Sequence, residues 1–250
     1  MLKTRIIPCL DCKDGRVVKG VRFEGLRDAG SPSELAAAYE KQGADEIVVL
    51  DISATTEGRN AALATVRAVR RELSIPLTVG GGVGSAEHAG VLLDAGADKV
   101  SVNSAAVKDP AIVTAIADRY GRQCAVIAID AARKDASWEV VTHSGKNRTG
   151  IDVIAWAREA VQRGAGEVLL TSFDRDGTRS GYDLDLLKAV SEAVPVPIIA
   201  SGGAAHAAHL LEALRAGATD VLAASIFHDG DLTVGDVKKY LASQGARVRL

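Results

Sequence analysis

Gly43-Ala44-Asp45-Glu46, Gly96-Ala97-Asp98-Lys99, Gly164-Ala165-Gly166-Glu167 and Gly217-Ala218-Thr219-Asp220 are four versions of one turn. Their first residues lie 53, 68 and 53 positions apart, so a shift of 121 maps the first pair onto the second. The same shift lays Pro76–Ser104 over Pro197–Ser225 with eleven identities in 29 positions. Self-similarity of this kind marks a chain built from repeated units. Each Gly-Ala turn reads as the end of a helix feeding a strand, because glycine tolerates the left-handed conformation that closes a helix.

Short β-branched runs around these turns predict strands at Arg5–Asp11, Glu46–Asp51, Pro76–Gly80, Asp98–Val102, Cys124–Asp130, Glu167–Thr171, Pro197–Ser201 and Asp220–Ala224. Helical spacing lies between them, as in Leu63, Val66 and Val69 or Val153, Ala157 and Val161. Ser31-Pro32-Ser33-Glu34 reads as a helix start, with a cap, Pro at the first helical position and Glu three residues after the cap. Most strands are continuous apolar runs, the mark of a parallel sheet covered by helices. Eight strand–helix units point to one (β/α)8 TIM barrel over residues 1–250, made of two similar half-barrels of about 1–122 and 123–250. A doubly wound open sheet explains two equivalent four-strand halves less well.

The chain has 250 residues and a net charge of −2, with no long Lys/Arg run to serve as a nucleic-acid footprint. No apolar stretch reaches membrane-spanning length and no signal peptide is evident, so no membrane is expected as a partner. Three cysteines fit a reducing cytoplasm. Cys9 and Cys12 have C-x-x-C spacing, but on a strand rather than at a helix N-terminus, and read as small barrel-lining side chains. His88, His206 and His209 fall in helical segments without acidic partners at ligand spacing, so no metal or other cofactor is expected. His228 reads as structural.

Barrel chemistry sits at the C-terminal strand ends. Strands 1, 2 and 5 end in Asp11, Asp51 and Asp130. Asp11 and Asp130 take near-equivalent places in the two halves and so face each other across the mouth. Two carboxylates in different surroundings can divide acid and base duties. Asp51 matches Thr171 instead and is a supporting residue. Strand 6 leads through Thr171 into the loop carrying Asp176 and Gly177, further candidates for holding substrate. The other strand ends suit phosphate, because glycine lets backbone N–H groups approach its oxygens closely. Gly82 with Asn103 and Ser104 makes one such site; Ser201 and Gly203 with Ala224 and Ser225 make its twin. Two sites across one mouth imply a small molecule phosphorylated at both ends. A long glycine-rich loop runs from Asp14 to about residue 30, and its Lys19 can reach a phosphate.

These residues carry a resemblance over the whole chain. Arg5-Ile6-Ile7-Pro8-Cys9-Leu10-Asp11, Lys13 to Gly20, Gly166 to Ser172, Asp174 to Thr178, Gly181-Tyr182-Asp183 and Ala200-Ser201-Gly202-Gly203 resemble the cyclase subunits of imidazole glycerol phosphate synthase. The resemblance implies a substrate, phosphoribulosyl-formimino aminoimidazole carboxamide ribotide, with Asp11 and Asp130 as general acid and base. It also implies a glutaminase partner on the N-terminal face, delivering ammonia through a charged gate formed by Arg5, Glu46, Lys99 and Glu167. Ser144, Lys146 and Ser104 depart from what some relatives carry. The sister isomerase of the same pathway shares the repeat and the two Asp residues. The 174–178 loop and the Arg5–Cys9 run favour the cyclase. A non-catalytic barrel that only activates a glutaminase is the alternative of a different class.

Overall fold

The computed structural model describes residues 3–21, 24–52 and 56–250. Its strands are β1 (Ile6–Lys13), β2 (Arg16–Val21), β3 (Glu24–Gly30), β4 (Ile47–Asp51), β5 (Leu77–Gly80) and β6 (Lys99–Val102). The others are β7 (Ala125–Lys134), β8 (Ser137–Thr142), β9 (Asn147–Asp152), β10 (Glu167–Ser172), β11 (Ile198–Ser201) and β12 (Asp220–Ala223). Eight of them form a closed parallel ladder in the order β1, β4, β5, β6, β7, β10, β11, β12 and back to β1. Helices lie between successive barrel strands, so the fold is a (β/α)8 barrel and not an open sheet.

The recurring turn works as the sequence implies: Gly43, Gly96, Gly164 and Gly217 all have positive φ, between 91° and 117°. Helix Pro32–Lys41 begins with Ser31 at the cap and Pro first, but the Ser31 hydroxyl meets that of Ser33 at 3.1 Å and caps no backbone N–H. The side-chain capping expected there is found at other helices, where Asp152 and Asp183 accept from Ala155 and Leu186. Leu63, Val66 and Val69 lie on helix Thr56–Glu72, and Val153, Ala157 and Val161 on helix Val153–Gln162.

Two strands overshoot the barrel. β1 continues past Asp11 to Lys13, turns at Asp14-Gly15 and pairs antiparallel with β2, which pairs with β3. The stretch expected as a long loop is therefore a hairpin, apart from residues 22 and 23, which lie outside the described residues. Both turn residues have positive φ, as a two-residue hairpin turn requires. β7 likewise runs four residues past Asp130 and folds back through β8 and β9.

Alternation along the strands sorts their side chains into two layers. Ile6, Leu10 and Cys12 face the helices, with Ile47 and Val49. Ile7, Cys9, Val48, Val126, Leu169, Ile199 and Leu222 fill the axis. Cys9 and Cys12 thus lie on opposite faces of β1, and only Cys9 lines the barrel interior. Both thiols are free and buried. Among the described residues no helix is long and apolar enough to cross a membrane.

The N-terminal end of the axis is closed by charge. Arg5 Nη1 donates to Glu46 at 2.6 Å and to Glu167 at 3.1 Å; Lys99 Nζ reaches the same two carboxylates at 2.9 Å each. The four make a closed ring of alternating sign. Asp220, which sequence reading left out, takes the second arm of Arg5 at 2.7 Å. Burial opposes the Arg5 charge, but Asp220, Glu46 and Glu167 outweigh it and raise the guanidinium pKa further. Glu46 is fully buried and also accepts from Thr78 at 2.6 Å. Glu46→Ala leaves two part-buried cations each short of a partner and is expected to cost about 3 kcal/mol. Guanidinium unfolding measures this; a loss no larger than that of an exposed ion pair would contradict the ring's closed geometry.

Candidate active site

A cavity of about 520 Å³ opens at the C-terminal end of the barrel. It gathers every residue read from the sequence as catalytic or substrate-binding. β1 and β2 bring Asp11 and Lys19, β4 brings Asp51, and β7 brings Asp130. Thr171, Asp176 and Gly177 come from β10 and the loop after it. The segments after β5 and β6 bring Gly82, Asn103 and Ser104; Ser201, Gly203, Ala224 and Ser225 stand on the other side.

Asp11 and Asp130 share the inward parity of Cys9 and Ala128, so both point over the axis. Neither ends its strand, contrary to the sequence reading, because each strand leaves the barrel there as the first arm of a hairpin. Asp11 lies opposite Leu50 and Asp130 opposite Thr171. By register, then, the counterpart of Thr171 is Leu50, and the expected match of Asp51 to Thr171 is off by one residue. Asp51 has the outer parity and borders the cavity at the rim.

Enclosure by protein raises both carboxyl pKa values. Asp11 is pushed up to about 6 by burial, with Lys19 and the Cys9 thiol pulling down and Asp176 pushing up. Asp130 is pushed up to about 7 by burial and by Asp176 and Asp11, while the Asn103 amide, 2.9 Å away, pulls down. Both carboxyls are thus drawn from the ordinary range towards neutral pH, where a carboxyl can exchange its proton in acid and base work.

Two glycine-rich cradles flank the pair. Gly81 and Gly82 have φ of 94° and 64°, Gly202 and Gly203 of 91° and 104°. A Cβ on Gly203 would lie 2.2 Å from the Gly181 carbonyl oxygen, whereas one on Gly82 would meet nothing within 4 Å. Gly203 is thus demanded by packing, Gly82 by its backbone angle. Asn103 (φ −129°, ψ −95°) and Ala224 (φ −122°, ψ −67°) share an unusual bend that starts the short helices at Ser104 and Ser225.

Sequence reading missed several contributors, Arg179, His143 and Ser144 among them. Arg179 lines the cavity and pairs with Asp229 and Asp231 in the loop after β12. His143 and Ser144, in the turn between β8 and β9, also line it, and the His143 N–H donates to Ser104 Oγ at 3.1 Å. The hairpin that delivers this turn left only weak alternation in the sequence. His228 takes the supporting role expected of it: Tyr39 Oη lies 2.5 Å from its Nδ1, and burial and Lys19 lower its pKa to about 4. His206 and His209 stack at the start of helix Ala207–Arg215, 3.7 Å apart. Among the described residues no three His, Cys, Asp or Glu side chains are grouped to hold a metal ion.

Residues 5–233 match the family described as histidine biosynthesis protein. The chain belongs to that family. It is 58% identical to the imidazole glycerol phosphate synthase subunit HisF of Geobacillus kaustophilus, across the whole of both chains. Proteins of the same name in Hyphomonas neptunium and Myxococcus xanthus are 58% and 57% identical, over all of this chain and 99% of each relative.

Burial of the carboxyls carries a stability cost with a definite pH window. Folding raises the Asp130 pKa from the ordinary 3.8 to about 7, so the folded state binds that proton more tightly. The contribution to stability is full below about pH 4 and is lost as pH rises through about 7. Asp130→Asn removes the loss. Its thermal midpoint should exceed the parent's at pH 8 by about 4 °C or more, with the gain fading towards pH 4. A difference independent of pH would contradict the burial argument.

Proposed function

We propose that this chain is the ammonia-using cyclase subunit of imidazole glycerol phosphate synthase, which closes the imidazole ring in histidine biosynthesis. One observation carries the reading most: two carboxylates enclosed by protein, Asp11 and Asp130, face a common cavity between paired glycine cradles. Phosphoribulosyl-formimino aminoimidazole carboxamide ribotide, phosphorylated at both ends, suits such a cavity. One phosphate lies against Gly82, Asn103 and Ser104, the other against Gly177, Ser201, Gly203, Ala224 and Ser225. Lys19, Asp51, Thr171 and Asp176 hold the chain between them.

The two carboxyls then take separate duties. Asp130 gives its proton to the ribulosyl carbonyl oxygen as ammonia adds, and that oxygen departs as water. Asp11 takes a proton from the nitrogen as it attacks the formimino carbon, and a second proton leaves the adjacent ribulosyl carbon as the ring becomes aromatic. The bond from the formimino carbon to the carboxamide-bearing ribotide breaks, and the departing nitrogen gains two protons to leave as the amine. Ammonia and substrate give imidazole glycerol phosphate, aminoimidazole carboxamide ribotide and water.

Ammonia enters from a glutaminase subunit docked on the N-terminal face, past the ring of Arg5, Glu46, Lys99 and Glu167. The axis above the ring is lined by Ile7, Val48, Val126, Leu169, Ile199 and Leu222. Neutral ammonia crosses such a lining far more readily than ammonium, whose charge would be stripped of water. We read the chain as one cytoplasmic barrel of two similar halves meeting near residue 122, with no nucleic acid or membrane partner.

The test uses the purified chain, the ribulosyl substrate and an ammonium salt, with no glutaminase present. Imidazole glycerol phosphate is the expected product, and its absence sinks the reading. Asp11→Asn and Asp130→Asn should each lose about 100-fold or more in turnover, with substrate affinity changed only a few-fold. Loss of binding with turnover of bound substrate intact would make them phosphate-positioning groups instead.

A further inference from the structure

Asp11 and Asp130 receive their hydrogen bonds from different places. Asp130 Oδ2 accepts from the Asn103 amide at 2.9 Å. The shift of 121 that relates the repeats carries Asn103 to Ala224, whose methyl donates nothing. Asp11 is served from its own strand: Cys9 Sγ donates to Asp11 Oδ1 at 3.5 Å. The position two before Asp130 is Ala128, again without a donor. Each carboxylate thus has a fixed donor that its counterpart lacks.

We propose that Cys9 is a positioning residue for the reaction: its thiol fixes one oxygen of Asp11 and stabilises that carboxylate as the base. This rests on Asp11 being a reacting carboxylate, as read above. Cys9 is 3% exposed and sits in the apolar axis, one inward-facing position below Asp11. Burial and the Asp11 charge hold its own pKa well above the usual thiol range, so the S–H stays intact as a donor. A thiol suits this spot better than a hydroxyl. It is small and weakly polar, and adds little polarity to an axis that ammonia must cross. The other titratable groups near Asp11 are Lys19 of β2, Asp51 of β4, Asp130 of β7 and Asp176 after β10, with the Cys12 thiol on the outer face of β1 and His228, after β12, against the Cys9 backbone. None is altered by a change at Cys9.

The experiment compares the parent with Cys9→Ala, Cys9→Val and Cys9→Ser in the ammonia-dependent assay, from about pH 5.5 to 8.5 at fixed free ammonia. Thermal unfolding identifies the folded variants. Alanine and valine remove the donor, valine while keeping most of the volume; serine keeps a donor. The acidic limb of kcat/KM should move up by about half a pH unit or more in Cys9→Ala and Cys9→Val. Their kcat at pH 7 should fall about 3- to 10-fold with KM nearly unchanged. In Cys9→Ser the limb should stay at the parent's position or below. Coincident limbs in all folded variants overturn the proposal, as does a kcat loss that follows side-chain volume rather than donor capacity. If only serine and one non-donor variant fold, their two limbs still decide it. A parent that forms no product refutes the cyclase reading itself, and is thereby distinguished from a failure at Cys9.

Discussion

β1 is hydrogen-bonded along both edges: Ile6–Pro8 run parallel to Val221–Ala223 of β12, and Cys9–Cys12 to Val48–Asp51 of β4. The lower part of the strand closes the barrel on one side and the upper part on the other, which is the stagger that barrel closure demands. This register sets the side-chain parity. Arg5, Ile7, Cys9 and Asp11 form one inward line, about 20 Å long at 3.3 Å per residue. A slip of one residue would turn all four toward the helices. The charged ring at one end and the carboxylate at the other therefore depend on the same ladder.

Between those ends the axis is lined mainly by apolar side chains. Buried ion pairs are weak contributors to stability, since desolvation offsets much of their attraction, and an apolar plug would close the barrel as well. The ring has a property that such a plug lacks. Arg5 and Lys99 each touch both Glu46 and Glu167, and Arg5 holds Asp220 in addition. One contact can break while every charge keeps an opposite neighbour. Breaking one contact thus leaves no bare charge behind, and Arg5, with three carboxylate partners to the two of Lys99, is the more firmly held cation.

Much of this was legible in the sequence because it is written in backbone demands and strand-end chemistry. The four Gly-Ala turns need positive φ, and the chain supplies glycine at each. Asp11, Asp130, Gly82 and Gly203 follow apolar runs whose direction a parallel barrel dictates. The hairpins were less legible, though Asp14-Gly15 between alternating residues is a recognisable turn signal. β9 is largely exposed, and the buried β8 is interrupted by Glu139, so neither shows the apolar runs that marked the barrel. The misplacement of Asp51 has the same kind of origin: counting repeats finds a neighbourhood, and only hydrogen-bond register decides which face a residue takes. Asp220 is the repeat counterpart of Lys99 and Cys9 shares the inward parity of Asp11, so spacing placed both near their partners; that they touch Arg5 and Asp11, and that Arg179 reaches the rim, depends on side-chain reach, for which spacing carries no signal.

Unequal surroundings of the two carboxyls matter most when the cavity is filled. A substrate with two phosphates adds negative charge beside both, and negative charge raises a carboxyl pKa. Asp130, already at about 7, is driven further toward its protonated form, which is what an acid needs. The same field threatens Asp11, which has to lose its proton to act as base. Lys19 and Cys9 oppose that field at Asp11, one by charge and one by hydrogen bond. At Asp130 the Asn103 amide is the opposing group, and the charges of Asp176 and Asp11 work against it. In the proposed reaction a bound bisphosphate thus raises both values but leaves Asp11 with a cation to counter it, as the proposed division of labour needs. Lys19 arrives on β2, the strand that the overshoot of β1 makes possible, so the hairpin that sequence reading took for a loop is what brings a cation to Asp11.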